Sequence, residues 1–233
     1  MLNLSSVTLV MVETICHDLA KLAVQDCIKH ADFGEVLVFS DKHLGIPGAS
    51  QIKVENWPTK LGWSEWLWYG VPQYVKTPQA LLLQWDAGIC KPECWKDEFL
   101  TYDYIGAPWG WHAAGMNVGN SGFSLRSKRL QDYLHKNRKT LPVSDPEDVA
   151  CSRIHRPALE AAGFKWADQY TALDFAFENA RLQSLNHFGY HGIWNWPLVL
   201  NQDELEHRMR LAGQIPYIEK SGMLKRLPHL ALT

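Results

Sequence analysis

Residues 8–39 read TLVMV-ETIC-HDLAKLAVQDCIKHA-DFG-EVLVF, and this stretch decides the fold. Thr8-Leu9-Val10-Met11-Val12 is a short β-favouring run closed by Glu13-Thr14. From His17 to Ala31, the residues Leu19, Leu22, Ala23, Cys27 and Ile28 fall on one helical stripe. Glu35-Val36-Leu37-Val38-Phe39 is a second strand and ends at Ser40-Asp41-Lys42. Strand, helix and strand within about thirty residues make a βαβ unit, which implies a parallel sheet.

Further elements extend this start. Gln51 to Val54 reads as a short third strand. Ala80-Leu81-Leu82-Leu83 is apolar on both faces, the pattern of a strand covered on both sides, and it ends in Gln84-Trp85-Asp86. Tyr104-Ile105-Gly106 is another short strand, stopped by Pro108, and Gly122 to Arg126 alternates after a glycine turn. Trp63 to Val75 is aromatic-rich and starts as a helix, with Pro72 near its end. Lys128 to Lys139 is a basic amphipathic helix. Pro146 suits a first helical turn with Asp145 as its cap, and that helix is expected to run to Ala162, to be split at Pro157 and to be closed by Gly163. Thr171 to Asn179 is read as a short helix or turn, and Asn201 to Ala212 as the last helix.

The 233 residues fit one domain of ordinary size or two small ones, and 46% hydrophobic against 21% charged residues permits a well-buried core. A net charge of −2 without a long block of one sign argues against nucleic-acid binding through a basic face. Eleven tryptophans are either core or flat platforms for sugars; Trp63, Trp66, Trp68, Trp109 and Trp111 are candidates for an acceptor groove. Five cysteines at irregular spacing do not make a disulfide framework, and no second Cys/His pair accompanies Cys90 and Cys94 for a structural zinc. No signal peptide is read in residues 1–14 and no run reaches the roughly 18 apolar residues of a membrane span. A cytoplasmic protein, or a soluble part of something larger, is expected, with peripheral membrane contact left open.

Several residue types invite chemistry. Ligands in an open parallel sheet bind at the carboxyl ends of strands, where Glu13-Thr14, Ser40-Asp41 and Gln84-Trp85-Asp86 lie. Asp86 either caps a turn or holds Mg²⁺ or Mn²⁺ against a diphosphate. His191, flanked by Gly189 and Gly192, is a candidate second ligand. Gly119-Asn120-Ser121-Gly122 is a turn by composition, or a segment passing beneath a sugar or phosphate. Glu147-Asp148 either favours a helix N-terminus or takes a proton from an acceptor hydroxyl.

Taken in order, Gln84-Trp85-Asp86, YDYIGAPW at 102–109, VGNSGFSLRS at 118–127, Pro146-Glu147-Asp148 and Phe188-Gly189-Tyr190-His191-Gly192 resemble a group of GT-A-like glycosyltransferases, over roughly residues 8–195. The resemblance implies an α/β fold with a Rossmann-type, mostly parallel central sheet flanked by helices and a smaller acceptor-side β element. It implies one domain: about 1–110 binding the nucleotide, about 111–200 facing the acceptor, and 201–233 as a C-terminal helical extension. In that family a D-x-D motif binds metal and nucleotide sugar; here Gln84 replaces the first acid while Asp86 matches the second. The resemblance further implies metal ligation by Asp86 and His191, donor-sugar contacts from Gly119, Asn120, Ser121 and Gly122, and a base from Asp148 or, second, Glu147. Thr14 and Asp41 stand at strand ends that contact the nucleobase. The implied activity is metal-dependent, inverting transfer of a sugar from a nucleotide-sugar donor, UDP-linked, to a glycan or other hydroxyl-bearing acceptor, as in polysaccharide biosynthesis. Two other classes are weighed against it. A nucleotidyltransferase would show a glycine-rich basic loop after the first strand, where Glu13-Thr14-Ile15-Cys16-His17 stands instead. A non-catalytic carbohydrate-binding protein would need neither a βαβ unit nor Asp86 with His191.

Overall fold

The structure is a computed structural model and describes residues 1–57, 59–110, 115–178, 186–222 and 224. Its centre is a six-stranded sheet in the order β3-β2-β1-β4-β7-β6. These strands are β1 (Leu2–Val12), β2 (Ala31–Ser40), β3 (Ser50–Lys53), β4 (Gln79–Leu83), β6 (Tyr104–Gly106) and β7 (Phe123–Ser127). β1 to β4 are mutually parallel, β7 runs against β4, and β6 runs against β7, so β7 alone opposes the rest. In register, Val10 lies between Leu37 and Leu82. A second sheet of three short strands, in the order β5-β9-β8, comprises β5 (Ala87–Ile89), β8 (Ala176–Phe177) and β9 (Gly189–His191). The expected α/β architecture, a mostly parallel sheet with flanking helices and a small added β element, is the one observed.

The two faces of the large sheet follow from strand alternation. Leu9, Met11, Val38, Leu81 and Leu125 join one core with Ala20, Ala23, Val24 and Cys27 of helix α1 (His17–His30). Val10, Val12, Leu37, Phe39 and Leu82 join the other with Leu67 and Val71. This second face is covered by α2 (Lys60–Glu65), a wide π-helical turn (Trp66–Gly70) and a 3-10 turn (Val71–Gln73), so the single helix expected from Trp63 changes pitch before Pro72. Trp63 and Trp66 pack on this second core, while Trp68 and Trp109 are themselves buried. Trp111 lies outside the described residues.

Other boundaries moved for identifiable reasons. β1 begins six residues before Thr8, because pairing of Leu2 and Leu4 with Ala31 and Phe33 holds a segment too polar to read as a strand. After α3 (Lys128–Lys136), α4 is one turn, Glu147–Val149, led by Pro146 without a side-chain cap, which corrects Asp145 as the cap. A π turn, Ala150–Ile154, then separates it from α5 (Arg156–Ala161), where Pro157 sits in the first turn and Gly163 follows with φ +86°. α6 (Gln169–Phe175), capped by Asp168, gives way to β8. A short α7 (Trp196–Val199) precedes α8 (Gln202–Gly213), which carries an Asn201–Glu204 capping box, and α9 (Pro216–Ser221) follows beyond the expected last helix. Among the described residues no helix is long and apolar enough to cross a membrane.

Candidate active site

The polar turn after β4 is clamped from two sides. The Gln84 amide donates to the Gly122 carbonyl at 2.8 Å, and the Gly192 amide donates to the Asp86 carbonyl at 3.1 Å. β5 then pairs antiparallel with β9, setting Ala87 opposite His191. Three segments distant in sequence therefore meet at Asp86. Gly122 is required here: a Cβ at this position would overlap the His191 imidazole, which lies directly over it. Gly192, with φ +97°, lets the chain turn under Trp194.

His191 stands between two acids. Its Nε2 is 3.4 Å from Asp86 Oδ1 and 3.2 Å from Gln84 Oε1, and its Nδ1 is 3.2 Å from Glu178 Oε1. Burial alone would depress the imidazole, but Asp86 and then Glu178 outweigh it and hold its pKa up at about 10. Asp86 and Glu178 are only 8% and 6% exposed. Among the described residues, Asp86 Oδ1, Glu178 Oε2 and His191 Nδ1 are buried without a properly aligned hydrogen bond. Such atoms are rare in folded proteins and call for a cause.

A carboxylate oxygen and an imidazole nitrogen side by side are the donor types that a divalent cation such as Mn²⁺ takes. Among the described residues no three His, Cys, Asp or Glu side chains gather in metal-holding geometry. Cations bound by one or two protein ligands complete their shell with phosphate oxygens and water, so the pair fits a metal that arrives with a diphosphate.

The other lip is the glycine turn. The Gly122 amide donates to Asn120 Oδ1 at 2.9 Å, so this side-chain oxygen serves the turn itself. The Asn120 carbonyl passes so close over Gly106 that a Cβ there would strike it. Asp148, half-buried, receives the backbone N–H of Val149 and that of Ser121, which ties it to the turn beside Gly122. Burial, and after it the neighbouring Glu147, push the Asp148 carboxyl up to about 7. Glu147 faces the opposite way. It is 1% exposed, accepts both Arg126 guanidinium nitrogens at 3.0 and 2.9 Å, and takes the Trp68 indole N–H at 2.9 Å. Glu147 as an alternative base is thereby corrected: its carboxylate is committed to a buried ion pair and cannot reach an acceptor.

A family model described as a protein of unknown function, DUF5672, matches residues 53–191, more than half of the chain and every side chain of this cluster. The chain belongs to the DUF5672 family. No curated protein matches its sequence. Among solved structures, it is similar to a glycosyltransferase involved in the glycosylation of the major capsid of PBCV-1, with a TM-score of 0.50 and 11% identity over 88% of this chain and 98% of that one. It is also similar to the galactosyltransferase LgtC, in complex with donor and acceptor sugar analogs, with a TM-score of 0.48 and 12% identity over 89% and 96% of the two chains. At these identities the likeness is one of fold: this DUF5672 chain has the GT-A type of α/β fold.

Two further candidates of the DUF5672 chain lie at neighbouring strand ends. The Thr14 hydroxyl donates to Asn56 Oδ1 at 3.0 Å. Asp41 is paired with His17 Nε2 at 2.6 Å, and this contact outweighs partial burial to lower the Asp41 pKa. Glu13 accepts the amides of Ile15 and Cys16 at 2.7 and 3.0 Å, which shapes the turn leading into α1. An apolar notch opens between Val12, Trp63, Leu67 and Leu83, with Gln84 and Ser121 at its rim. Glu178 and Arg126 escaped sequence reading. Arg126 had a signal, a charge inside an alternating strand; Glu178 had none, because the strand before it has two residues.

Proposed function

We propose that this chain is a glycosyltransferase that takes a sugar from a nucleoside diphosphate, with uridine as the expected base, and passes it to a hydroxyl of a glycan or other acceptor. One observation carries the reading: at the carboxyl end of β4 the buried Asp86 Oδ1 finds no aligned hydrogen-bond partner among the described residues while His191 Nε2 faces it at 3.4 Å. A buried polar atom without a partner costs about 1–3 kcal/mol, a cost that a bound ligand at this strand end would offset.

Asp86 and His191 are the residues that would hold Mn²⁺ or Mg²⁺, and a bound cation supplies neutralisation of the charge that develops on the departing diphosphate. The remaining work falls to the chain itself. Gly122, by lacking a Cβ, leaves room for the His191 ring to stand against the turn beside Asp86, where the donor would bind. Asp148, on the far side of Ser121, takes the proton of the acceptor hydroxyl on its carboxylate. With a pKa of about 7 it is matched to that role near neutrality, and such a base contributes roughly 10²- to 10⁴-fold. A base on the acceptor side fits attack opposite the leaving group, hence inversion.

The nucleotidyltransferase alternative is opposed by Glu13-Thr14-Ile15-Cys16-His17, which follows β1 where such an enzyme would carry a glycine-rich basic loop for phosphate. A carbohydrate-binding module is opposed by Trp68, Trp109, Trp166 and Trp196, which are buried. Thermal-shift measurements across nucleotide sugars, with and without Mn²⁺, test the proposal. One donor should raise the melting temperature only with metal, and Asp86→Ala should abolish that gain. No stabilisation by any nucleotide sugar, or an undiminished gain in Asp86→Ala, would end it.

A further inference from the structure

We infer that Glu178 is a positioning residue that fixes the ring of His191 so that Nε2, and not Nδ1, is presented to Asp86. The inference rests on the glycosyltransferase reading for its purpose but on separate geometry for its substance. Glu178 Oε1 is the acid oxygen facing Nδ1, at 3.2 Å, and that nitrogen has no aligned hydrogen-bond partner among the described residues. Glu178 is itself held. Its carbonyl accepts the Trp194 indole N–H at 2.8 Å and the Asn195 side-chain amide at 2.8 Å, and the same Asn195 nitrogen reaches the His191 carbonyl at 2.7 Å. One asparagine thus ties the backbones of residues 178 and 191 together, across strands that pair at Phe177 and Tyr190.

A carboxylate on the far nitrogen of an imidazole keeps a proton there, orients the ring and makes the near nitrogen the better ligand; removing such a partner typically lowers metal affinity 10- to 100-fold. Gly122 completes the arrangement by giving the ring a flat floor without a Cβ.

The test follows the Nδ1 proton and Mn²⁺ separately. In protein labelled with ¹⁵N-histidine, the His191 Nδ1–H signal, assigned by its loss in His191→Asn, should be protected from exchange in the wild type. It should be lost in Glu178→Ala and retained in Glu178→Gln, whose amide oxygen still accepts. Mn²⁺ affinity in the presence of a nucleoside diphosphate, read by electron paramagnetic resonance, should fall 10- to 100-fold in Glu178→Ala and less in Glu178→Gln. An unchanged Nδ1–H signal in folded Glu178→Ala overturns the inference, as does unchanged Mn²⁺ affinity when that signal is gone. Wild-type protein that binds no Mn²⁺ would sink the metal-dependent reading, while the protected proton would still decide the role of Glu178.

Discussion

The two acidic lips of the cleft are built on opposite principles. Around Glu147 every polar group is answered: Arg126 meets it with two nitrogens, Trp68 with a third, and the remaining guanidinium contacts go to Ser124 and Tyr104 at 3.2 Å. Tyr104 in turn reaches the Gly119 carbonyl at 2.5 Å, so the network holds up the glycine turn from below. Around His191 the groups are a little less deeply placed, and among the described residues Asp86 Oδ1 and Glu178 Oε2 find no aligned hydrogen-bond donor. A fully partnered buried ion pair serves as scaffolding, whereas a buried oxygen without a partner calls for another cause, which the proposed function supplies as a ligand. Adjacent residues divide along this line: Glu147 is bound into the ion pair, while Asp148 accepts backbone amides beside the glycine turn.

The sharpest way to break the contrast is Asp148→Asn. Transfer should drop by about 10²- to 10⁴-fold with donor binding intact, as measured by initial rates and calorimetry. In the wild type the rate should climb as pH rises through about 7, since burial and Glu147 keep the proton on below that pH, and the variant should lack this rise. The same raised pKa has a stability sign. The folded state keeps a proton that the unfolded chain releases near 3.8, so stability falls as pH climbs from that value towards 7. Near-normal transfer by the variant would remove Asp148 as base.

Next comes Arg126→Met, which strands the Glu147 charge in the core and should cost about 3–5 kcal/mol in urea unfolding. A loss under about 1 kcal/mol, the level of an exposed pair, would mean that this side is not scaffold after all. Two glycines then separate the lips. Gly122→Ala collides with the His191 ring and should weaken nucleotide-sugar binding roughly tenfold, in line with overpacking costs of about 1–3 kcal/mol. Gly106→Ala collides with the Asn120 backbone instead and should lower the melting temperature more than Gly122→Ala does. The smallest effect is expected remote from both lips: Asn201→Ala removes the α8 capping box, costs about 1 kcal/mol by thermal unfolding and leaves donor binding unchanged.

The large sheet was legible because apolar alternation and runs are local signals: β1, β2 and β4 each announce themselves within five residues. The small sheet was not. β5 and β9 have three residues each and pair across a hundred positions of chain, as Ala87 does with His191, so no window contains the pattern. The meeting of Asp86 with His191 was readable only from residue type and flanking glycines. The resemblance ranked Asp148 before Glu147, but the reason is not local in sequence: neighbours on one helical turn differ by direction, and Arg126 fixes the direction of Glu147 from another strand. Tryptophan number left core and groove both open, and Trp63 and Trp66 pack in the cover over the second face of the sheet.

The placement of β4 carries a last consequence. The family match begins at residue 53, whereas the strand beside β4 on one flank is β1, Leu2–Val12. A polypeptide trimmed to the matched segment would present Gln79–Leu83, five apolar-lined backbone units, as a naked rim open to any passing chain. Self-association is the expected fate of such a fragment, because the first forty residues supply the strand that covers this rim.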